Sequence, residues 1–346
     1  MPLTLSFRLF KRSFISTLIV TVLLLILTGC EKNTVPQDNS PTWEQPYFGF
    51  NAKGLLNTGQ QVSYAQQYFS QMHSWIKPNI VIRVTGGTAS QTAFENDWTN
   101  ETISQWTALQ QQHQLRFIYV VNGNDSPQNQ HDIIQKWISA GARFEFLEMM
   151  NEYYLPKFTQ RDTSFEEVSR VVTPEIYANE ILPEFWEELD RFNLPYYIIF
   201  APTRPDKPDA QQKMDHWNRV MLDSVMQVYP QRNIHATLHL YDSGDDLSSF
   251  DYDQIRRLRL QLPEDRHIAV TEAGIINDSL NSDECGLLAV VHFKNLLAQL
   301  QKGDYLLDQV LYNTSANNNT ANLSPGYSGI TPKGTRILQF VNNQLQ

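Results

Sequence analysis

The chain has 346 residues, 41% of them hydrophobic and 12% aromatic, with a formal net charge of −10. That is enough apolar material for a sizeable core, and with no basic block beyond the first dozen residues it excludes a nucleic-acid partner, because phosphate binding needs clustered Lys and Arg. Cys30 and Cys285 are the only cysteines, too few for a disulfide framework.

Taken in order, the chain opens with Arg8, Lys11 and Arg12 ahead of a mainly apolar run from Phe14 to Leu27. This run is shorter than the ~20 residues a membrane span needs, so residues 1–29 read as a secretory signal. Its end, Leu27-Thr28-Gly29-Cys30, resembles a bacterial lipobox. The resemblance implies cleavage before Cys30, a lipid on that cysteine, and membrane lipid as a partner. Glu31, rather than Asp, follows the cysteine, which is compatible with sorting to the outer membrane; the expected location is the cell envelope. Residues 30–45 are polar and proline-containing and read as a flexible tether. Residues 46–346, about 300 in all, suit a single α/β domain.

Within that domain, apolar and β-branched runs predict eight strands: Tyr47–Asn51, Asn79–Thr85, Arg116–Asn122, Phe144–Glu152, Tyr196–Pro202, Ile234–Tyr241, His267–Ala273 and Gln309–Thr314. Between them, Val62–Ile76, Asn129–Ala140, Glu175–Phe192, Gln211–Tyr229 and Leu287–Leu300 carry apolar residues at helical spacing. The alternation predicts parallel βα units closing into a (β/α)8 TIM barrel, with functional residues at the C-terminal ends of the strands. An open doubly wound sheet would carry a glycine-rich phosphate loop after its first strand, and Phe48-Gly49-Phe50-Asn51 supplies none.

Two strands end on carboxylates. Phe144 to Tyr154 reads FEFLEMMNEYY and delivers Asn151-Glu152; HIAVTEAG, from His267, delivers Glu272. A carboxylate at the end of a core strand is costly to desolvate without a cleft or partner. Two of them, far apart in sequence, suit the acid and the nucleophile of glycoside hydrolysis. The apolar residues before Glu152 favour its protonated form, as a general acid requires.

This pattern resembles the clan A glycoside hydrolases. Leu147-Glu148-Met149-Met150-Asn151-Glu152 is similar to that clan's strand-4 element and Val270-Thr271-Glu272-Ala273-Gly274 to its strand-7 element, while Arg83, followed by Gly86-Gly87, and the His239-x-Tyr241 pair are similar to its supporting residues. The resemblance implies Glu152 as acid/base, Glu272 as nucleophile with Arg83 and Tyr241 beside it, Asn151 on the sugar 2-hydroxyl, His239 in support and Glu148 in a structural role. Tyr153 and Tyr154 stand where many members have proline, and Leu311-Tyr312-Asn313-Thr314 lacks the tryptophan common on strand 8, leaving Tyr312 as its candidate substitute. Asn122, on the loop after strand 3, is a further candidate for sugar contact.

The expectation is a retaining glycoside hydrolase acting on an oligo- or polysaccharide, without cofactor or metal, and monomeric. No HExxH, paired-cysteine spacing or GxSxG elbow occurs. A non-catalytic carbohydrate-binding or envelope lipoprotein on the same scaffold, and a transglycosylase using the same site, remain open alternatives.

Overall fold

The computed structural model describes residues 45–52, 59–76, 79–84, 86–91, 98–156, 159, 172–204, 207–309, 321–323 and 329–345. The signal, Cys30 and nearly all of the tether lie outside them, as does Tyr312. Strands β1 (Tyr47–Asn51), β2 (Ile80–Val84), β3 (Arg116–Val121), β4 (Phe144–Met149), β5 (Tyr196–Phe200), β6 (Ile234–Asp242), β7 (Ile268–Ile275) and β8 (Tyr305–Asp308) form a closed barrel, each parallel to the next, with β8 returning to β1.

Helices follow the strands in turn: α1 (Gly59–Ile76), α2 (Asn100–His113), α3 (Pro127–Ser139), α4 (Pro174–Ile176, continued through a π turn at Tyr177–Ile181 into Leu182–Leu189), α5 (Pro208–Met221), α6 (Asp253–Arg259), α7 (Ser282–Leu297) and α8 (Pro332–Gln344). Their starts are written in short polar side chains. Thr99, Ser126, Thr173 and Thr331 each accept a hydrogen bond from a backbone N–H of the first turn, and Asn281 and Glu284 close a reciprocal capping box.

The barrel prediction is borne out, with one strand displaced. The eighth strand was expected at Gln309–Thr314 and lies at Tyr305–Asp308, where Tyr47 pairs with Tyr305 and Phe50 with Asp308. The apolar character of YLLDQVLY runs on past the strand, and a buried Asp308 inside it disguises where pairing stops. Asp308 is tolerated there because Lys333, also fully buried, sits 2.7 Å away and Asn322 donates to it at 2.6 Å.

Inside the barrel, Val81, Ile118, Phe146, Tyr197, Ala269, Tyr305 and Leu307 fill the lower layers, with Phe146 stacked on Tyr197 at 3.7 Å. Outside, Phe48, Phe50, Trp106, Trp137, Trp186 and Phe293 are buried beneath the helices. Above the interior layer the filling changes from apolar to ionic.

Candidate active site

Four strands, β2, β4, β6 and β7, carry the ionisable groups. Arg83 stands two residues beyond inward-facing Val81 on β2, so strand alternation points it up the barrel axis. Glu148 stands two beyond Phe146 on β4 in the same way. The two meet as a fork: Arg83 Nε donates to Glu148 Oε2 and Nη2 to Oε1, both at 2.7 Å, with both side chains fully buried. The remaining arm of the guanidinium, Nη1, donates to Glu272 Oε1, and Nη2 also reaches Asn151 Oδ1 at 2.9 Å.

Glu272 reaches this cluster through a register change. Along β6 and β7, Leu238 pairs with Val270 but His239 pairs with Glu272, leaving Thr271 as an extra residue. Both Thr271 and Glu272 therefore face inward: Thr271 Oγ1 lies 2.7 Å from Thr237 Oγ1 and donates to Glu148 Oε1 at 3.2 Å. Strict alternation would send one of the two outward, so the bulge aims the carboxylate.

On β4 the backbone does equivalent work. Met150 and Glu152 both adopt left-handed conformations, φ 69° and 43°, on either side of Asn151. This conformation is costly for residues with a Cβ and needs neighbours to hold it. Tyr177 donates to the Met149 carbonyl at 2.6 Å, the Gln91 amide donates to the Asn151 carbonyl, and Tyr153 donates to Asn124 Oδ1 at 3.0 Å. Gly86 lies against Asn51, where a Cβ would fall 1.4 Å from the Asn51 amide oxygen.

Glu152 and Glu272 share one neighbour. His239, fully buried, places Nδ1 3.3 Å from Glu152 Oε1 and 3.9 Å from Glu272 Oε1, while Nε2 lies 3.4 Å from Glu148 Oε1. Burial alone would lower its pKa; the surrounding carboxylates of Glu272, Glu148 and Glu152 outweigh burial and raise it to about 9. Glu272 shows the converse. Burial would raise its pKa, but His239, Arg83 and the Tyr241 hydroxyl, which donates to Oε2, hold the carboxylate well below its usual range. Glu148 is also held low, against burial, by Arg83 and His239. The Tyr241 phenol is pushed up by burial and by Glu272, and so remains a proton donor.

The structure thus brings Arg83, Asn151, Glu152, His239, Tyr241 and Glu272 into one cluster, with Glu148 bonded at its base. Asn122 is also buried, but its side-chain oxygen accepts from the backbone N–H of Asn124 and so shapes its own loop. Four contributors carried no signal of their role in the sequence: Gln91 and Thr271, Tyr177, and the hydroxyl of Tyr154, which donates to Glu152 Oε1 at 3.1 Å. Chemically, the cluster offers one buried carboxylate fixed in its ionised form and a second, 15% exposed in its side chain, at the opening.

No protein-family model matches the sequence, and no curated protein matches it. Solved structures do. A family 39 glycoside hydrolase from Bacteroides cellulosilyticus WH2 is 9% identical with a TM-score of 0.56, over 87% of this chain and 64% of that one. A 4-O-alpha-L-rhamnosyl-beta-D-glucuronidase from Fusarium oxysporum 12S is 10% identical with a TM-score of 0.55, over 88% and 72%. GH5_18 from Streptomyces cattleya is 10% identical with a TM-score of 0.57, over 86% and 80%. The chain therefore spans just under two thirds of the first of these and more of the other two, and what it shares with these glycoside hydrolase structures, at such identities, is the eight-stranded barrel fold.

Proposed function

We propose that this chain is a retaining glycoside hydrolase acting on an oligo- or polysaccharide. The observation that carries the reading is the Glu272 carboxylate: buried, pinned by Arg83 and Tyr241, and separated from Glu152 by a single histidine nitrogen. One atom within 4 Å of an oxygen of each carboxylate keeps those oxygens no more than about 7 Å apart, which is compatible with the ~5 Å spacing of a covalent mechanism and excludes most of the wider range that leaves room for an attacking water.

In the first step Glu152 gives its proton to the glycosidic oxygen while a Glu272 oxygen bonds to the anomeric carbon, the carbon–oxygen bond to the leaving group breaks, and the alcohol departs. In the second, Glu152, now a carboxylate, takes a proton from water as the water oxygen replaces Glu272 at the same carbon. Arg83 and Tyr241 hold charge and aim on Glu272 throughout. Asn151, held by Arg83, presents its amide to the sugar 2-hydroxyl. Tyr154 fixes the rotamer of Glu152.

The test is the intact mass of the protein after incubation with a panel of fluoroglycoside and cyclitol epoxide probes, beside Glu272→Gln. A glycosyl-sized gain mapped to Glu272 and absent in the variant is expected. A gain mapped to any other residue overturns the assignment.

A further inference from the structure

Nine of the twelve arginines among the described residues face a carboxylate within 4 Å; Arg143, Arg204 and Arg219 do not. In a chain of net charge −10 an unpaired guanidinium is uncommon, and Arg204 alone of these three lines the recess that also holds Glu152, Tyr154, His239 and Tyr241. That recess has a volume of about 40 Å³. It takes roughly three water-sized positions, which is the bulk of a carboxylate and well short of a sugar ring.

The backbone under Arg204 is fixed although its side chain is free. The preceding Thr203 donates its N–H to Gln254 Oε1 at 3.0 Å and its hydroxyl to Asp251 Oδ2 at 2.9 Å. Arg204 itself donates its N–H to Gln211 Oε1, and its carbonyl accepts from the N–H of Lys207 at 3.0 Å. A guanidinium carried on an anchored backbone and not engaged by a carboxylate of the protein is available as a fork for a planar anion, and a carboxylate accepts it through two parallel bonds. Of the groups around the recess, Glu152 repels such an anion as a carboxylate but not in the protonated form from which the proposed first step starts.

We propose that the substrate is an acidic saccharide, with a uronic acid next to the scissile bond whose carboxylate is held by Arg204. This rests on the glycoside hydrolase reading for its location and goes beyond it in naming the substrate class. A neutral glycan would leave the Arg204 fork without a partner.

The test uses the Glu152→Gln protein, with and without Arg204→Gln or Arg204→Lys. Each is titrated with oligoglucuronides, oligogalacturonides and oligomannuronides, with their carboxyl-reduced counterparts, and with sulfated oligosaccharides, while thermal unfolding verifies that the exposed Arg204 variants remain folded. The expected result is an acidic oligosaccharide bound at least tenfold more tightly than its carboxyl-reduced form. That preference should be lost in Arg204→Gln, be partly kept in Arg204→Lys, and weaken with added salt. Absence of any acidic preference, its survival in Arg204→Gln, or tighter binding of the sulfated compounds overturns the inference. Turnover by the unsubstituted protein separates the two readings: acidic oligosaccharides bound through Arg204 but never cleaved would sink the hydrolase and keep the subsite, whereas cleavage of a neutral glycan with no acidic preference would do the reverse.

Discussion

Arg83 is buried, and four hydrogen bonds account for its cost. A guanidinium in this position with one partner removed leaves an uncompensated charge, typically worth about 3–5 kcal/mol. His239 is the more informative residue to measure, because its charge can be titrated. Its pKa rises on folding from an ordinary 6.5 to about 9. The folded state then binds more protons than the unfolded state between those values, so its contribution is complete below pH 6.5, falls between pH 6.5 and 9, and is absent above. On the scale of pKa shifts the whole contribution is on the order of 3 kcal/mol. Denaturant unfolding between pH 6 and 9.5 should show the parent losing stability on this limb and His239→Asn showing a flatter one; equal slopes would show that the imidazole stays neutral. The acid limb runs the other way. Glu148 and Glu272, both held low, contribute above the usual carboxylate range and lose that contribution as pH falls through their lowered values.

Among elements, the strands were legible and the departures from strand geometry were not. Glu152 and Glu272 could be read from the apolar runs that lead to them, where strand ends are visible in a single sequence, whereas Arg83, Glu148, His239 and Tyr241 joined them only through the resemblance to the clan A glycoside hydrolases. Thr271 could not, since a bulge is defined by the partner strand, and the left-handed turns at Met150 and Glu152 are held by Gln91 and Tyr177 from elsewhere in the chain. Strand β8 was misplaced because the apolar run continues past its last paired residue. The left-handed turns at the site are kept by their surroundings; the one at Gln114 is not. This exposed residue closes α2 at φ 51°. Glycine takes that conformation without Cβ strain, so Gln114→Gly should raise stability by about 0.5–1 kcal/mol. The increase should be visible as a rise in Tm of a few degrees at most, and a fall in Tm would show that the side chain contributes contacts worth more than the strain.

At the scale of the molecule, the seam between β8 and α8 depends on a buried ion pair. Lys333 reaches both oxygens of Asp308, at 2.7 and 2.9 Å, and Asn322 bonds the same carboxylate. Lys333→Met should cost about 3–5 kcal/mol by stranding Asp308, and the double variant Asp308→Leu with Lys333→Met should recover much of that loss. Urea midpoints of the three proteins distinguish this from simple loss of packing, in which the second change would add to the first. The pair also stands where barrel closure is completed, so its loss is expected to lower the cooperativity of unfolding.

The barrel has a direction, and that direction governs how the protein can be held. Strand β1 starts at Tyr47 on the base, and α8, running back against the strands, brings Gln344 to the same base. Arg83, Glu152 and Glu272 all stand at the other end. A linker joined at Tyr47, to a bead or a fused partner, therefore attaches at the end of the barrel opposite those three residues. A bead or fused partner attached there is expected to leave the opening beside Glu152 and Glu272 uncovered.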